Sequence, residues 1–329
     1  MKPTPQQSLL RWYETHGRHD LPWRNTDDPY RIYVSEIMLQ QTQVKTVLER
    51  FYFPFLEAFP TLHDVAEADL DEILKRWEGL GYYTRAKNLH NAARQCGGIL
   101  PDNADELMRL SGIGRSTAHA IAAFAYGEAL PILDANVKRI LHRYFAQSGR
   151  DEKKLWEYAW RLFDPAHPFE YNQAMMDLGS SVCLGKNPLC GSCPLETACE
   201  GKTSPLSYPE AKIKKAKPVR TRSITIYRRN GRYALIQRRS RFLHGLWGFY
   251  ESDETIGNTE TFLGHITQHY SHFTLEAKVY VSEEAFEDEG YEWFEPEEFS
   301  TLPLSRADHK AAALLRYNLE KKEDGCRPC

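Results

Sequence analysis

The sequence predicts an all-α region followed by an α+β region. Apolar residues recur three and four positions apart from Gln6 to about Ala174, which is the period of buried helix faces. Beyond a cysteine-rich stretch the apolar period becomes two, as in strands. A stretch rich in Pro, Ser and Lys without apolar periodicity separates the two patterns. With 329 residues, 42% of them hydrophobic, we predict a helical domain at 1–203, a basic linker at 204–222 and a second domain at 223–329.

The helical pattern of the first region is interrupted by Pro- and Gly-containing breaks. The best-defined helical stretches are Ile32–Phe51, Leu70–Trp77, Arg85–Gln95, Ser116–Phe124 and Trp156–Leu162. In the second region Asn230-Gly231, which suits a type I′ turn, joins two alternating runs into a predicted hairpin. Those runs are Ser223–Arg228 and Tyr233–Arg239, and a further strand at Leu275–Val281 precedes a closing helix at Arg306–Leu319.

Charge and hydropathy leave nucleic-acid binding open and argue against a membrane or secreted protein. The net charge is −3, yet Ala211–Arg222 carries six basic residues and no acidic one, while Ser282–Glu298 is strongly acidic. The basic run is compatible with a nucleic-acid-binding face or with a solvated linker. No apolar run reaches the roughly 20 residues that span a bilayer, and no apolar signal segment precedes the first charges. We therefore expect a soluble, cytoplasmic protein without a membrane partner.

Four of the seven cysteines form the pattern Cys183-x6-Cys190-x2-Cys193-x5-Cys199. Clustered thiols in a cytoplasmic chain favour metal binding over disulfides. Four thiolates suit zinc or a [4Fe–4S] cluster, and zinc sites usually contain two C-x2-C pairs where this chain has one. The spacing resembles the cluster loop of the endonuclease III superfamily of DNA glycosylases, which implies a [4Fe–4S] cluster. Zinc and unliganded thiols remain alternatives.

Residues 107–118, LMRLSGIGRSTA, predict a helix, a glycine turn and a second helix. Gly112 and Gly114 allow a tight turn that points amides at a phosphate, which binds DNA without regard to base sequence. The segment resembles the helix–hairpin–helix motif of the same superfamily. Bifunctional members carry a nucleophilic lysine where this chain has Ser116, so the resemblance implies base excision without efficient strand cleavage. Lys138 is the nearby amine expected to form any weak adduct.

Two carboxylates stand out by context. On composition alone Glu36 is a solvent-facing helix residue and Asp134 a helix N-cap. The surrounding blocks resemble adenine DNA glycosylases, from about residue 6 to 200 and more loosely to 318. They are LPWRNTDDPYRIYVSEIMLQQTQV, GLGYYTRAKNLH, GIGRSTA, LDANVKR and NQAMMDLG. The resemblance implies that Glu36 protonates adenine N7 and later deprotonates water, and that Asp134 supports the cationic sugar electrostatically or through a covalent intermediate.

Further roles follow from the same resemblance. Gln41 and Tyr82 are expected to wedge beside the orphaned partner base, while Arg24 and Gln173 recognise the extruded adenine. Helix-end packing for Tyr82 and a surface ion pair for Arg24 are the alternatives. Ala135 replaces the family's glycine after the aspartate, so we expect reduced rather than abolished activity. The remaining expected DNA contacts are Thr42, Gly112, Gly114, Ser116, Asn136 and Lys138.

The second domain resembles the nudix-like domain of that family. ESDETIGNTETFLGHI follows Tyr250 and contains no RE-x2-EE magnesium box, which excludes nudix hydrolysis and leaves a recognition role. Residues 268–273, QHYSHF, resemble the family's H-x-F-S-H loop, with Gln268 in place of the first histidine. Ser271 would then meet 8-oxoguanine, and His272 would support it or sense the lesion. A polar hairpin turn is the alternative.

Together these features predict a monofunctional adenine DNA glycosylase. Its partner would be double-stranded DNA with adenine opposite 8-oxoguanine or guanine, its product an abasic site, and its cluster an architectural element. We expect a monomer, associated with the nucleoid in a bacterium. The alternatives are an endonuclease III-like pyrimidine-lesion glycosylase and lyase, and a non-catalytic iron–sulfur DNA-binding module. No role is predicted for Cys96, Cys326 or Cys329.

Overall fold

The computed structural model describes residues 3–210, 216–240, 242–253, 260–284 and 289–324. The chain forms two compact units, the first from Met1–Glu67 and Asn88–Ile213 and the second from Ala68–Lys87 and Lys214–Cys329. Residues 211–215 of the basic run, residues 285–288 of the acidic run, and Cys326 and Cys329 lie outside the described residues. No helix in the described ranges combines the length and apolar character that crossing a bilayer requires.

The region before residue 182 is helical, as predicted, with short 3-10 turns at Pro22–Arg24 and after the last helix. Its helices are α1 (Pro5–His16), α2 (Pro29–Met38), α3 (Val44–Arg50), α4 (Tyr52–Ala58), α5 (Leu62–Glu67), α6 (Leu70–Arg76), α7 (Thr84–Gln95), α8 (Ala104–Leu107), α9 (Arg115–Tyr126), α10 (Ala135–Tyr144), α11 (Glu152–Leu162) and α12 (Pro168–Ser181).

The prediction of one helix over Ile32–Phe51 is wrong. Helix α2 ends at Met38 and α3 begins at Val44. Between them Gln41 has a φ of 58°, in the left-handed region that a right-handed helix cannot contain. The apolar period continues across this break, which is why the sequence pattern missed it.

The first unit is held together by apolar faces of its helices. Helix α1 packs on α12, and α10 packs on α11 and α12. Leu9, Leu141 and Leu178 lie fully buried where these helices meet. Helix α2 packs on α9 through Ile32 and Ala120. These helices support the extended segment that leads into α10.

The second unit contains a mixed sheet, so the predicted change from α to α+β is confirmed. Its strands are β1 (Val219–Arg229), β2 (Arg232–Gln237), β3 (Trp247–Gly248), β4 (Tyr250–Ser252), β5 (Thr261–His269), β6 (Thr274–Ser282) and β7 (Tyr291–Phe294). The order is β3-β2-β1-β6-β5, with β4 on β1 and β7 on β2. Only the β1–β6 pairing is parallel among those described.

The predicted hairpin turn is confirmed by Asn230 and Gly231, which have φ angles of 51° and 80° between β1 and β2. Positive φ at both central residues is the requirement of a type I′ turn. The closing helix, α13 (Arg306–Asp324), packs on β5 and β6. The second unit also includes α6, whose Asp71 accepts hydrogen bonds from Gln237 Nε2 and Trp247 Nε1 at 2.7 and 3.0 Å.

Candidate functional site

A small cavity of about 50 Å³ surrounds Glu36 in the first unit. Glu36 lies in the last turn of α2, which begins at Pro29 after the N-cap Asp28. Arg24 and Gln173 share the cavity wall, so the structure brings together three of the residues predicted to act on adenine. The rest of the wall is mainly apolar and consists of Leu21, Trp23, Ile32, Leu39, Val44, Phe124 and Met176, with Arg18 and Ser35.

Burial changes the acid strength of Glu36. Removal from water, followed by the nearby Asp134 carboxylate, raises the pKa of Glu36 to about 7, with Arg24 acting in the opposite direction. A carboxyl group with this pKa is protonated in a large fraction of molecules near neutral pH. Glu36 is therefore able to donate a proton to a leaving group, and the solvent-facing alternative is wrong.

Asp134 is the N-cap of α10. Its Oδ1 accepts from the Val137 amide at 2.7 Å, and Asn136 Nδ2 donates to Oδ2 at 3.4 Å. Burial raises the pKa of Asp134, against the lowering effect of these hydrogen bonds. The capping interpretation is thus confirmed, and it is compatible with a catalytic role because the cap fixes the carboxylate in place. Ala135 begins α10 with an ordinary helical backbone, so its methyl group introduces no backbone strain.

Asp134 is linked to the cysteine loop through α10. Arg139 donates to Asn136 Oδ1 at 2.9 Å and to the Cys183 carbonyl at 2.7 Å. Asn136, predicted as a DNA contact, therefore lies between the aspartate and Arg139. Arg139 was not predicted as a functional residue, because its contact with Cys183 joins positions 44 residues apart in the chain.

Arg24 forms an ion pair, as its alternative interpretation proposed, but the pair is buried. Its two terminal nitrogens donate to the Asp177 carboxylate at 2.7 and 2.8 Å. Although burial alone would raise the pKa of Asp177, hydrogen bonds from Arg24 and Arg18 hold it below its usual range. Arg24 Nε and Gln173 Oε1 are buried without hydrogen-bond partners. A donor and an acceptor are thus available in the wall of the same cavity.

The predicted hairpin connects α8 to α9. Gly112 has a φ of 75°, and a Cβ atom there would lie 2.5 Å from the Cβ of Asn88, so only glycine fits. Gly114 caps α9. Ser116 Oγ accepts from the Leu133 amide at 3.1 Å, a contact that ties α9 to the segment before Asp134. Lys138 forms an ion pair with Glu152 at 3.0 Å.

The two predicted wedge residues share an unusual backbone conformation. Gln41 and Tyr82 have φ angles of 58° and 51°, which cost a non-glycine residue free energy and occur often at functional sites. Thr42 follows Gln41, and its amide donates to the Leu39 carbonyl at 3.2 Å. Tyr82 is 45% exposed, and the Arg85 guanidinium lies 5.3 Å from its ring centroid. Tyr82 is therefore not buried by helix-end packing.

A second, larger pocket of about 600 Å³ lies within the second unit. Tyr82, Ser271 and His272 all line it, which brings together the residues predicted to meet the base opposite adenine. Ser271 Oγ and His272 Nδ1 are hydrogen bonded at 3.2 Å. Phe242 packs edge-on against Tyr270 and His272, giving the pocket an aromatic wall.

All four clustered cysteines line one cavity with Arg143. Arg143 is 4% exposed and donates to the Cys183 thiol and to the carbonyls of Leu184, Gly185 and Pro205. No three His, Cys, Asp or Glu side chains among the described residues converge as ligands of one metal ion. In a four-iron cluster each thiolate binds a different iron, so convergence on one point is not required. The donor set and the shared cavity fit such a cluster.

Two segments of the chain match models of known protein families. Residues 34–165 match the model of the HhH-GPD superfamily of base excision DNA repair proteins, and residues 223–314 match a NUDIX domain. Residues 34–165 therefore form a helical HhH-GPD domain, which is followed by a NUDIX-like domain. The matched range contains Glu36, Asp134 and the glycine hairpin, the residues whose geometry is described above.

Several relatives of this chain are adenine DNA glycosylases, and the chain spans less than two thirds of the length of those it matches first. The chain is 42% identical over 201 residues to that of Buchnera aphidicola subsp. Baizongia pistaciae, covering 59% of this chain and 57% of the relative. It is 43% identical over 213 residues to the Homo sapiens protein, covering 59% and 39%. A thermostable thymine-DNA glycosylase of known structure is 29% identical with a TM-score of 0.56, covering 60% of this chain and 94% of that one.

Proposed function

We propose that this protein is a monofunctional adenine DNA glycosylase. It removes adenine opposite 8-oxoguanine, and more slowly opposite guanine, by hydrolysis of the N-glycosidic bond and leaves an abasic site. The observation that carries the proposal is Glu36, whose pKa is raised by burial and by the nearby Asp134 carboxylate, in a cavity that also holds Arg24 and Gln173. The similarity to adenine DNA glycosylases supports the choice of base.

The chemistry follows from the different environments of the two carboxyl groups. Protonated Glu36 donates its proton to adenine N7, which makes the base a neutral leaving group. The Asp134 carboxylate, fixed by the N-terminal turn of α10, stabilises the positive charge that develops on the sugar. Glu36, now ionised, accepts a proton from the attacking water and returns to its starting state.

Recognition of the extruded base uses the unpartnered groups of the cavity. Arg24 Nε donates and Gln173 Oε1 accepts, and the adenine edge offers both a ring-nitrogen acceptor and an amino donor. The cavity in its present form is too small for a purine, so its walls must separate when the nucleotide enters. Gln41 and Tyr82 fill the space left in the helix, since removing a base from the stack costs a few kcal/mol.

The partner base is recognised in the pocket of the second unit. Ser271 and its hydrogen-bonded neighbour His272 contact 8-oxoguanine, and Tyr82 lies in the same pocket. Residues 254–259, part of the segment that lacks a magnesium box in sequence, lie outside the described residues. The monomeric state and the cytoplasmic, nucleoid-associated location stay predictions.

We further propose that Cys183, Cys190, Cys193 and Cys199 hold a [4Fe–4S] cluster of architectural function. When bound, the cluster would crosslink the loop after α12, and hydrolysis requires no electron from it. Burial raises the pKa of Cys193 to about 11 and raises that of Cys199, so these two free thiols are protonated and cluster binding would release their protons. Arg143 supplies the compensating positive charge beside Cys183.

The test is single-turnover cleavage of three duplexes, with adenine opposite 8-oxoguanine, adenine opposite guanine, and thymine glycol opposite adenine. Each product is analysed with and without hot alkali. Adenine release that breaks the strand only after alkali supports the proposal. Strand breaks without alkali at thymine glycol would instead identify an endonuclease III-like lyase. Binding without any product would identify a non-catalytic module.

A further inference from the structure

The pocket of the second unit has a charge distribution that base recognition does not explain. Lys87, Lys217 and Arg306 line it, together with three histidines, and no Asp or Glu appears among its described lining residues. The whole chain contains 45 acidic residues against 42 Lys and Arg, so a wall without acids departs from the average. Cations beside aromatic rings match the chemistry of a nucleotide, with a phosphate next to a stacked base.

Lys87 and His244 meet in this pocket. Lys87 Nζ lies 2.5 Å from His244 Nδ1, although the residues are 157 positions apart. An ammonium group can only donate, so Nδ1 accepts, which a neutral imidazole alone can do. Burial lowers the pKa of Lys87. A cation and an imidazole nitrogen thus share one hydrogen bond on the pocket wall, and an entering anion would compete for the donor.

The loop that carries His244 is tightly constrained. Its neighbours Leu243 and Gly245 both have positive φ, at 55° and 85°. The Gly245 amide donates to the Arg238 carbonyl at 2.8 Å, and a Cβ atom on Gly245 would lie 3.1 Å from Leu74 Cδ1. The loop thus lies against α6 and against Lys87 in the first turn of α7, which belong to the same unit, and this fixes the Lys87–His244 contact.

The other groups of the pocket have different partners. His269 pairs with Thr274 Oγ1 and His272 with Ser271 Oγ, and hydroxyl groups accommodate either form of an imidazole. Burial raises the pKa of Tyr270 to about 12 and raises that of Tyr83, so both phenols stay neutral. The other basic lining residues are Lys217, which donates to the Tyr270 carbonyl at 3.1 Å, and Arg306. Among the described lining residues, His244 is the histidine whose hydrogen-bond partner is a cation.

We propose that Lys87 and His244 bind a backbone phosphodiester of DNA, and that His244 takes up one proton from solvent as the phosphate enters. Lys87 then donates to a phosphate oxygen instead of to Nδ1, and the imidazolium donates to the same phosphate. This site adds a phosphate contact and a pH dependence to the pocket. It rests on the proposed function in its choice of DNA as the ligand.

The experiment measures binding separately from excision. Wild-type protein is titrated by fluorescence anisotropy, at constant ionic strength from pH 6 to 8, with a duplex that pairs 8-oxoguanine with a tetrahydrofuran abasic site. We expect the affinity to fall by up to about tenfold per pH unit, since one proton is taken up where imidazoles titrate. His244→Gln keeps a polar side chain that does not titrate, and should bind with a flat pH dependence. His265→Gln, an exposed control outside the pocket, should keep the wild-type slope.

Lys87→Gln should weaken binding across this range and reduce the salt dependence by about one phosphate contact. An unchanged slope in His244→Gln would overturn the proposal and assign the proton to His269 or His272. Millimolar inorganic phosphate is a further arm: a slope that persists supports a backbone phosphodiester, whereas a slope abolished by free phosphate contradicts it. Adenine excision by the wild type is assayed alongside, so that failure of the proposed function shows there and not in the pH slope.

Discussion

The cavity of the first unit and the pocket of the second differ in size and in charge. The first is about 50 Å³, contains Glu36 near Asp134, and has its arginines paired with Asp177. The second is about 600 Å³ and carries cations and aromatic rings without an acid among its described lining residues. Enclosure raises the pKa of a carboxyl group and so suits acid chemistry, whereas an open, positively charged surface suits the binding of a nucleotide.

The largest effect is expected from Glu36→Gln, which removes the acid of the enclosed cavity and leaves the second pocket unchanged. The amide occupies the same space but cannot donate a proton as an acid does, so the single-turnover rate should fall by about 10³- to 10⁴-fold. Affinity for the duplex should stay within a few-fold of the wild type, because the second pocket is untouched. A parallel loss of affinity would show that excision and duplex binding are not assigned to separate pockets.

Asp134→Asn should reduce the excision rate by about 10²- to 10³-fold, because it removes the negative charge beside the sugar. Asparagine is as good an N-cap as aspartate, so α10 should keep its stability. Thermal unfolding monitored by circular dichroism checks the second expectation. If Asp134→Asn loses stability to an extent that explains its loss of rate, Asp134 acts only as a capping residue.

The raised pKa of Glu36 also predicts how stability depends on pH. The group binds its proton more tightly in the folded state, at a pKa of about 7 against 4.5. Its contribution is thus fully present below about pH 4.5 and is lost as pH rises through 7. Glutamine does not titrate, so Glu36→Gln should not lose this stability as pH rises. Between pH 4 and pH 8 the free energy of unfolding of the variant should therefore rise by about 3 kcal/mol relative to that of the wild type. Urea titrations at both pH values measure it.

Arg143→Lys tests the contacts that Arg143 makes in the cavity lined by the four cysteines, which is separate from both pockets. Lysine keeps the charge but cannot reach three carbonyls and a thiol at once, so the free energy of unfolding should fall by about 2–3 kcal/mol. Iron content per chain should fall with it. Arg161→Lys, an exposed substitution on α11, is the control and should change neither quantity.

The smallest effect is expected from Ser116→Ala. The substitution leaves the amide of buried Leu133 without its acceptor, which costs about 1 kcal/mol of stability. Ser116→Thr retains a hydroxyl and should behave like the wild type in the same unfolding assay. Equal stability of all three proteins would remove the structural role assigned to Ser116.

The sequence predicted the parts of the fold that depend on local pattern. The Asn230-Gly231 turn and the helix beginning beside Asp134 follow from residues adjacent in the chain, and the four cysteines were grouped by their spacing. The break at Gln41 escaped because backbone strain leaves the apolar period intact.

Contacts between distant residues could not be predicted in this way. Arg24 and Asp177 are 153 positions apart, and Lys87 and His244 are 157 apart. No sequence motif around either residue indicates its partner, because the two residues of each pair meet only in the folded chain. The same holds for α6, which packs against strands more than 150 residues later in the chain.

The most direct test of the account is the pH dependence of single-turnover adenine release, measured with enzyme concentrations that saturate the duplex at every pH. If Glu36 is the buried acid, the rate falls above about pH 7 by up to tenfold per pH unit as its proton is lost. The residual rate of Glu36→Gln shows no such decrease. A wild-type rate that stays constant from pH 6 to 9 would contradict the assignment of Glu36 as the proton donor.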